Sequence, residues 1–393
     1  MKHRIVILGA GYAGAAAAGF LARHLHPSDV EITVINAGAD FTERIRLHQL
    51  AAGHDPRRFP LAEMFAGTDI VLRIGRVESV DVGAHTVELS DGGSVAYDSL
   101  LYTLGSATDR SVDGVAEHAY DVAGLASAQR LRERLDELGE AGNVLVVGGN
   151  LTAIEAATEF AEARPGLHVT LVTRGELGGW LGAKARTHLL RTFDRLGIEL
   201  HEGTTIDRVT ATGALADDGT VYLADATVWA AGFAVDSIAA TSGLDVADNG
   251  RIVVDRMMRS VSHPDVYAAG DAVYVIGENG RELPMSCGSA GFTRMQATAT
   301  IIGDLTGAKI DRISLSYLGN CISLGQRRDR PDGRRRCRVE IVVAARPPCR
   351  TLQGLRPAWR GVERRQPDVR VAGASPPSRI GEAAVAGDGR RIR

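Results

Sequence analysis

Short apolar blocks separated by glycine turns set out the first elements of this chain. Residues 5–8, Ile-Val-Ile-Leu, form an uninterrupted apolar run, the pattern of a strand buried on both faces. The run stops at Gly9, and an alanine-rich stretch beginning at Ala15 predicts a helix to about Leu25. A second apolar run at 31–35 predicts the next strand. Residues 71–101 alternate apolar and polar side chains, with Asp91-Gly92-Gly93 as a hairpin turn, which predicts a small antiparallel meander. A buried strand from Ser99 then runs into a glycine turn at Gly105. Residues 121–140 space Leu125, Leu131, Leu135 and Leu138 for one buried helical face. After them the opening pattern returns: an apolar run from Asn143, glycines at 148 and 149, a helix through Glu155 and a strand at 168–172. Residues 205–229 are strand-rich and end in Trp229-Ala230-Ala231-Gly232, and Asp265 to Asp271 reads as a buried strand, a glycine turn and an acid. Residues 288–304 predict a helix.

The repeat gives the chain its chemistry. Gly9, Gly11 and Gly14 have the G-x-G-x-x-G spacing between a strand and a helix. The first glycine makes the tight turn, the second lets a pyrophosphate approach the backbone, and the third lets helix and strand pack closely. The helix N-terminus, beginning near Tyr12 and Ala13, offers unpaired N–H groups to phosphate. The plainer alternative is a glycine-rich helix start. Asn36 stands at the end of the second strand, where an acid usually accepts both ribose hydroxyls; its amide oxygen can accept too. In the second loop Gly148 makes the turn, Asn150 replaces the second glycine and Ala153 the third. The Asn150 side chain is expected to stand in the space that a pyrophosphate needs, so a structural relic is the rival reading there. The second unit has Thr173-Arg174 where an acid would select a free 2′-hydroxyl, a pattern compatible with a 2′-phosphate, or with an ordinary surface arginine. Arg44, Arg46 and His48 cluster in a basic segment after the second strand.

Charge divides the chain. The net charge of −3 is the sum of an acidic body and a basic tail: residues 327–393 carry 18 Arg, no Lys and 7 acids. An acidic body argues against nucleic acid as a partner. The four cysteines, Cys287, Cys321, Cys337 and Cys349, form no C-x-x-C and lie far in sequence from the first loop, so a disulfide framework, a zinc site and a redox dithiol are not expected. Lys2-His3-Arg4 before an apolar run imitates a secretory signal, but the glycines fall where a phosphate turn needs them. The expectation is a cytoplasmic protein, with attachment to the inner face of a membrane as the variant. The tail holds 7 of the 13 prolines, one aromatic, Trp359, and neither strand alternation nor helical period. The rest of the chain prefers Arg to Lys by 24 to 3, as a GC-rich gene would. The tail is therefore read as disordered or as a frame-shifted product, beginning near Gln326.

Together, the Gly9-x-Gly11-x-x-Gly14 loop, the strand ending at Gly105, the loop from Gly148, the strand ending at Gly232 and Ala268-Ala269-Gly270-Asp271 resemble the FAD-dependent pyridine nucleotide oxidoreductases over about residues 3–325. The branch they look most like holds type II NADH:quinone oxidoreductases and apoptosis-inducing-factor-like reductases. The resemblance implies an α/β fold of two Rossmann-like dinucleotide-binding domains, the second inserted in the first. The FAD domain would be 1–110 with 230–325, the NAD(P)H domain 111–229, and 326–393 a degenerate tail. It implies FAD held by Gly9, Gly11, Tyr12, Ala13, Gly14, Asn36, Arg46, Gly105, Gly232, Gly270 and Asp271. NADH or NADPH would lie on Gly148, Asn150, Leu151, Ala153, Glu155 and Arg174. Cys287 is a further candidate for lining the flavin. No metal is implied and no catalytic side chain is assigned. The implied reaction passes hydride from NAD(P)H to flavin and electrons to a small acceptor such as a quinone. Two rivals remain: an inactive nucleotide-binding relic, and a ferredoxin or rubredoxin reductase. The family's disulfide branch needs a cysteine pair beside the flavin, which is not expected here. Relatives in the quinone branch also carry a membrane-binding helix after a C-terminal domain.

Overall fold

A computed structural model describes residues 1–139, 141–315, 320–325 and 339–342. Two parallel five-stranded sheets dominate it. The first takes its strands in the order Val266–Ala268, Ser99–Tyr102, His3–Leu8, Val30–Asn36 and Ile70–Ile74. The second repeats four strands of that plan, Ala226–Trp229, Asn143–Val147, His168–Val172 and Glu199–His201, and adds at the outer position Ala119–Tyr120, its earliest strand in the chain rather than its latest. All strands of the second sheet fall in the chain between the fourth and last strands of the first, so the second unit is an insertion. Ile5, Val6, Ile7 and Leu8 are at most 1% exposed, as expected of a central parallel strand covered on both sides. Each sheet has its own apolar core. The opening strand of each is followed by a helix, Tyr12–His24 in the first and Leu151–Ala163 in the second.

Three expectations change. The meander is confined to Val77–Asp81, Thr86–Leu89 and Ser94–Ala96; Ile70–Ile74 instead pairs in parallel with Val30–Asn36 and completes the first sheet. It lies at the sheet edge, where Val71 is 50% and Ile74 40% exposed. The helix expected over 121–140 runs from Leu125 to Leu138. It cannot start earlier, because the Asp121 carboxylate accepts the N–H groups of Ala123 and Gly124 and holds Gly124 extended. Leu131 and Leu135 are buried, whereas Leu125 is 41% exposed. The helix expected over 288–304 runs from Cys287 to Thr306. The expected featureless tail lies outside the described residues except at Val339–Val342, which pairs antiparallel with Asn320–Ser323. Among the described residues no helix is long and apolar enough to cross a membrane.

Close packing at the first turn is severe. A Cβ on Gly14 would stand 1.9 Å from the Gly9 carbonyl oxygen and 2.5 Å from Thr103 Oγ1. A Cβ on Gly11 would meet nothing within 4 Å. We therefore expect Gly14→Ala to lower stability by at least about 1–3 kcal/mol through overpacking. Gly11→Ala should cost under about 1 kcal/mol, the loss of an N-cap preference. Urea midpoints of the two variants check this; a wild-type midpoint for Gly14→Ala would contradict it.

Candidate functional site: two glycine turns and the cleft between them

The two turns are built alike. Gly9 has φ +88° and donates its N–H to the Ile35 carbonyl at 2.8 Å; Gly148 has φ +138° and donates to Val172 at 2.9 Å. Both lie in the region that favours glycine. Gly11 and Asn150 then hold the equivalent N-cap positions, extended at φ −75° and −86°. No side chain caps the helix after Gly11, and the space where its Cβ would stand is open. That is the cradle a pyrophosphate needs.

Asn150 corrects an expectation. Its side chain turns inward: the amide oxygen accepts the Ala153 N–H at 3.1 Å, and the amide nitrogen donates to the Ala230 carbonyl at 2.8 Å. The residue therefore caps its helix and ties the turn to the neighbouring strand rather than filling the phosphate space. Asn36 is also engaged. Its amide oxygen accepts the Ala10 N–H at 2.8 Å and its nitrogen donates to the Gly38 carbonyl at 2.7 Å. One lone pair of that oxygen remains for a ligand. At the corresponding place in the second unit is Thr173, whose Oγ1 would lie 2.3 Å from a Cβ on Gly149. Arg174 follows on the exposed surface.

Beside the first turn, distant segments converge on Asp271. The Ser106 hydroxyl donates to its carboxylate at 2.7 Å. Arg44 donates to the Ser106 carbonyl at 2.7 Å, lies 3.6 Å from Asp271 and sits 4.8 Å over the Phe233 ring. Burial lowers the Arg44 pKa, against the attraction of Asp271. One of its terminal nitrogens is buried without a partner, a donor suited to an anionic group. Gly105 and Gly270 make the turns here, at φ +75° and +83°. A Cβ on Gly270 would come 3.4 Å from that of Ala13. Gly232 accepts the Asp109 N–H at 3.1 Å, where the two units cross over. Tyr12 packs edge-on to Phe41, with centroids 5.2 Å apart.

Arg46, a candidate by sequence, does not join the cluster; it lies 3.6 Å from Glu43 nearer the surface. Arg44, two residues earlier, is the arginine that reaches Ser106 and Asp271. Sequence reasoning also missed Ser106, whose one signal was its position next to Gly105. Cys287 begins the long helix that packs on Gly270 through Ala290. Although Cys287 reaches the surface, partial burial and then the proximity of Cys321 and Asp271 raise its thiol pKa. The fold thus brings two cysteines toward the first site that spacing had kept apart. In the second unit, Leu151 is half-buried at the helix start and Ala153 is buried. Glu155 accepts the Ser323 N–H at 2.8 Å. Burial, and secondarily Glu159, push its carboxyl up to about 7 against that hydrogen bond. Among the described residues no group of acidic, histidine or cysteine side chains is arranged to hold a metal ion.

Comparison with known proteins agrees with this geometry. The chain is 27% identical over 349 residues to a NADH dehydrogenase-like protein of Mycobacterium tuberculosis, covering 82% of this chain and 86% of that one. It is 21% identical to a type II NADH:quinone oxidoreductase of Staphylococcus saprophyticus, covering 82% and 88%. A solved ferredoxin reductase from Rhodopseudomonas palustris shares the fold with a TM-score of 0.69 and 23% identity, over 82% of this chain and 80% of that one. Residues 3–293 match the model of the pyridine nucleotide-disulphide oxidoreductases. With two dinucleotide turns of matching geometry and that match over most of its length, the chain belongs to the pyridine nucleotide-disulphide oxidoreductase family, the NAD(P)H-dependent flavin oxidoreductases.

Proposed function

We propose that the protein is an NAD(P)H:quinone oxidoreductase, with FAD on the first turn and the nicotinamide nucleotide on the second. The observation that carries the reading is the open cradle at Gly11 joined to Arg44, Ser106 and Asp271, opposite a second turn of the same build. Residues 1–110 with 230–325 form the FAD domain and 111–229 the nicotinamide domain. Gly9, Gly11 and Gly14 admit the pyrophosphate to the backbone, the unpartnered Arg44 nitrogen faces an anionic oxygen, and Asp271 accepts from hydroxyls. Asn36 offers its remaining lone pair to the adenosine ribose. Gly148, Asn150 and Leu151 present the second helix N-terminus, and Glu155 lies at the cleft. FAD supplies hydride acceptance from the nicotinamide and electron donation onward.

Glu155 is suited to a quinone acceptor. A quinone takes up protons with its electrons, and a carboxyl with a pKa near 7 both holds and releases one at neutral pH. An iron–sulfur acceptor needs electrons alone.

Two experiments test the site. Gly11→Val places a branched side chain in the cradle, so it should give folded, colourless protein without NAD(P)H oxidation. Full FAD occupancy in that variant would overturn the assignment. Arg174 is proposed to meet the 2′-phosphate of NADPH. A charge-assisted hydrogen bond lost on binding costs about 1.5–3 kcal/mol, so Arg174→Ala should raise the KM for NADPH roughly ten- to a hundredfold. The KM for NADH should stay near its wild-type value; equal effects on both would remove Arg174 from the site.

A further inference from the structure

Behind Glu155 lies a second buried carboxylate that cofactor binding does not explain. Glu159 stands one helical turn further along Leu151–Ala163, and its side chain is 2% exposed. An ionised group so deep is costly unless it is paired, and an apolar residue there would cost less. Its partner comes from the other domain. His54 Nε2 lies 2.8 Å from Glu159 Oε1, and the His54 side chain is 21% exposed. We propose that Glu155, Glu159 and His54 form a proton path between the redox cleft and bulk water.

The three groups run outward from the second turn: Glu155 is on the first turns of its helix, Glu159 one turn further along it, and His54 reaches the surface. Residues at i and i+4 share a helix face, with Cβ atoms about 5–6 Å apart, and Glu159 is near enough for its charge to raise the pKa of Glu155. His54 is held at the outer end. Its N–H donates to the Gln49 carbonyl at 3.0 Å, and its carbonyl accepts from Arg132 at 3.4 Å. Arg132 also grips Asp55 at 2.6 Å, and Arg164 donates to the Ala52 carbonyl at 3.3 Å. The segment is thus fastened to two helices of the second domain. At the inner end, the backbone N–H of Ser323 fixes Glu155.

The charges around the path come from every side: Arg46 and His48 from the basic segment, Arg132 and Asp136 from Leu125–Leu138, and Glu162 and Arg164 from the end of the helix. Burial, then the fields of His54 and Arg46, lower the His48 pKa to about 4, so it stays neutral near pH 7. His54 is therefore the imidazole placed to carry the proton.

The path rests on the quinone reading. NAD(P)H, a quinone and one proton give NAD(P)⁺ and the quinol, so each turnover draws one proton from the medium. That proton enters on His54, crosses to Glu159, passes one turn to Glu155 and ends on a quinone oxygen. Glu155 regains it along the same route.

The test uses the FAD-loaded protein, reduced anaerobically by NADH and mixed with a short-chain ubiquinone or with ferricyanide, which takes electrons and no proton. His54→Gln should slow reoxidation by the quinone at least about tenfold. Reoxidation by ferricyanide should keep its rate, and added imidazole should restore the quinone rate. Glu159→Gln, which keeps the size and hydrogen bonding of the residue, should slow the quinone reaction too, without rescue by imidazole. Unchanged quinone rates in both variants would overturn the path and leave the function standing. Equal slowing with both acceptors would show that the pair only docks the domains, and would overturn the path as well. A wild-type protein that reacts with ferricyanide and not with quinone would overturn the acceptor reading and the path together.

Discussion

Everything in this molecule depends on how closely a helix can approach the strand before it. A phosphate can meet the helix N-terminus at the end of the sheet only if no side chain stands between. At Gly14 the approach leaves 1.9 Å between an ideal Cβ and the Gly9 carbonyl oxygen. The second unit has Ala153 there, and its close contacts lie at the turn itself, where a Cβ on Gly148 would stand 2.6 Å from the Ala230 carbonyl oxygen, as one on Gly9 would stand 2.7 Å from that of Thr103. A glycine turn of the same kind ends the central strand of both sheets, and four of the five strands of each are laid down in matching order. On the proposed reading each turn holds one dinucleotide.

The second copy departs from the first in an instructive way. Gly11 leaves its helix uncapped and open, whereas Asn150 caps its own helix and bonds to Ala230. The backbone at the two positions is nearly the same, extended rather than left-handed. Asparagine is tolerated because its side chain has two inward partners. The domains are joined by more than the crossover near Gly232. Leu47, Ala51 and Ala52, from the first unit, pack into the core of the second together with Ile322. The residues beside the Arg44 cluster are thereby tied to the helix that carries Glu155 and Glu159.

Local features of the site were legible in the sequence; long-range ones were not. The glycine spacing, the repeat, and Asp271 at a strand end are properties of a few neighbouring residues, and the fold places them as that pattern implies. Ile70–Ile74 departs from the expected meander because five mostly apolar residues fit an edge strand of either sheet type, and only the fold pairs them with Val30–Asn36. The helix start at Leu125 was missed because Asp121 competes for the N–H groups that a longer helix would use. Arg44 and Arg46 are two residues apart with the same chemistry, and only the positions of Ser106 and Asp271, 62 and 227 residues further on, decide between them. The same holds for Cys287 and Cys321, and for His54 with Glu159, whose meeting depends on how two domains dock.

If one chain holds both cofactors in electronic contact, anaerobic mixing of the purified yellow protein with one equivalent of NADH or NADPH, followed through the visible absorbance of the flavin, should bleach the flavin in a single two-electron step, and its colour should return when a quinone is added. A flavin that stays oxidised with either nucleotide, in protein that keeps its FAD, would contradict it.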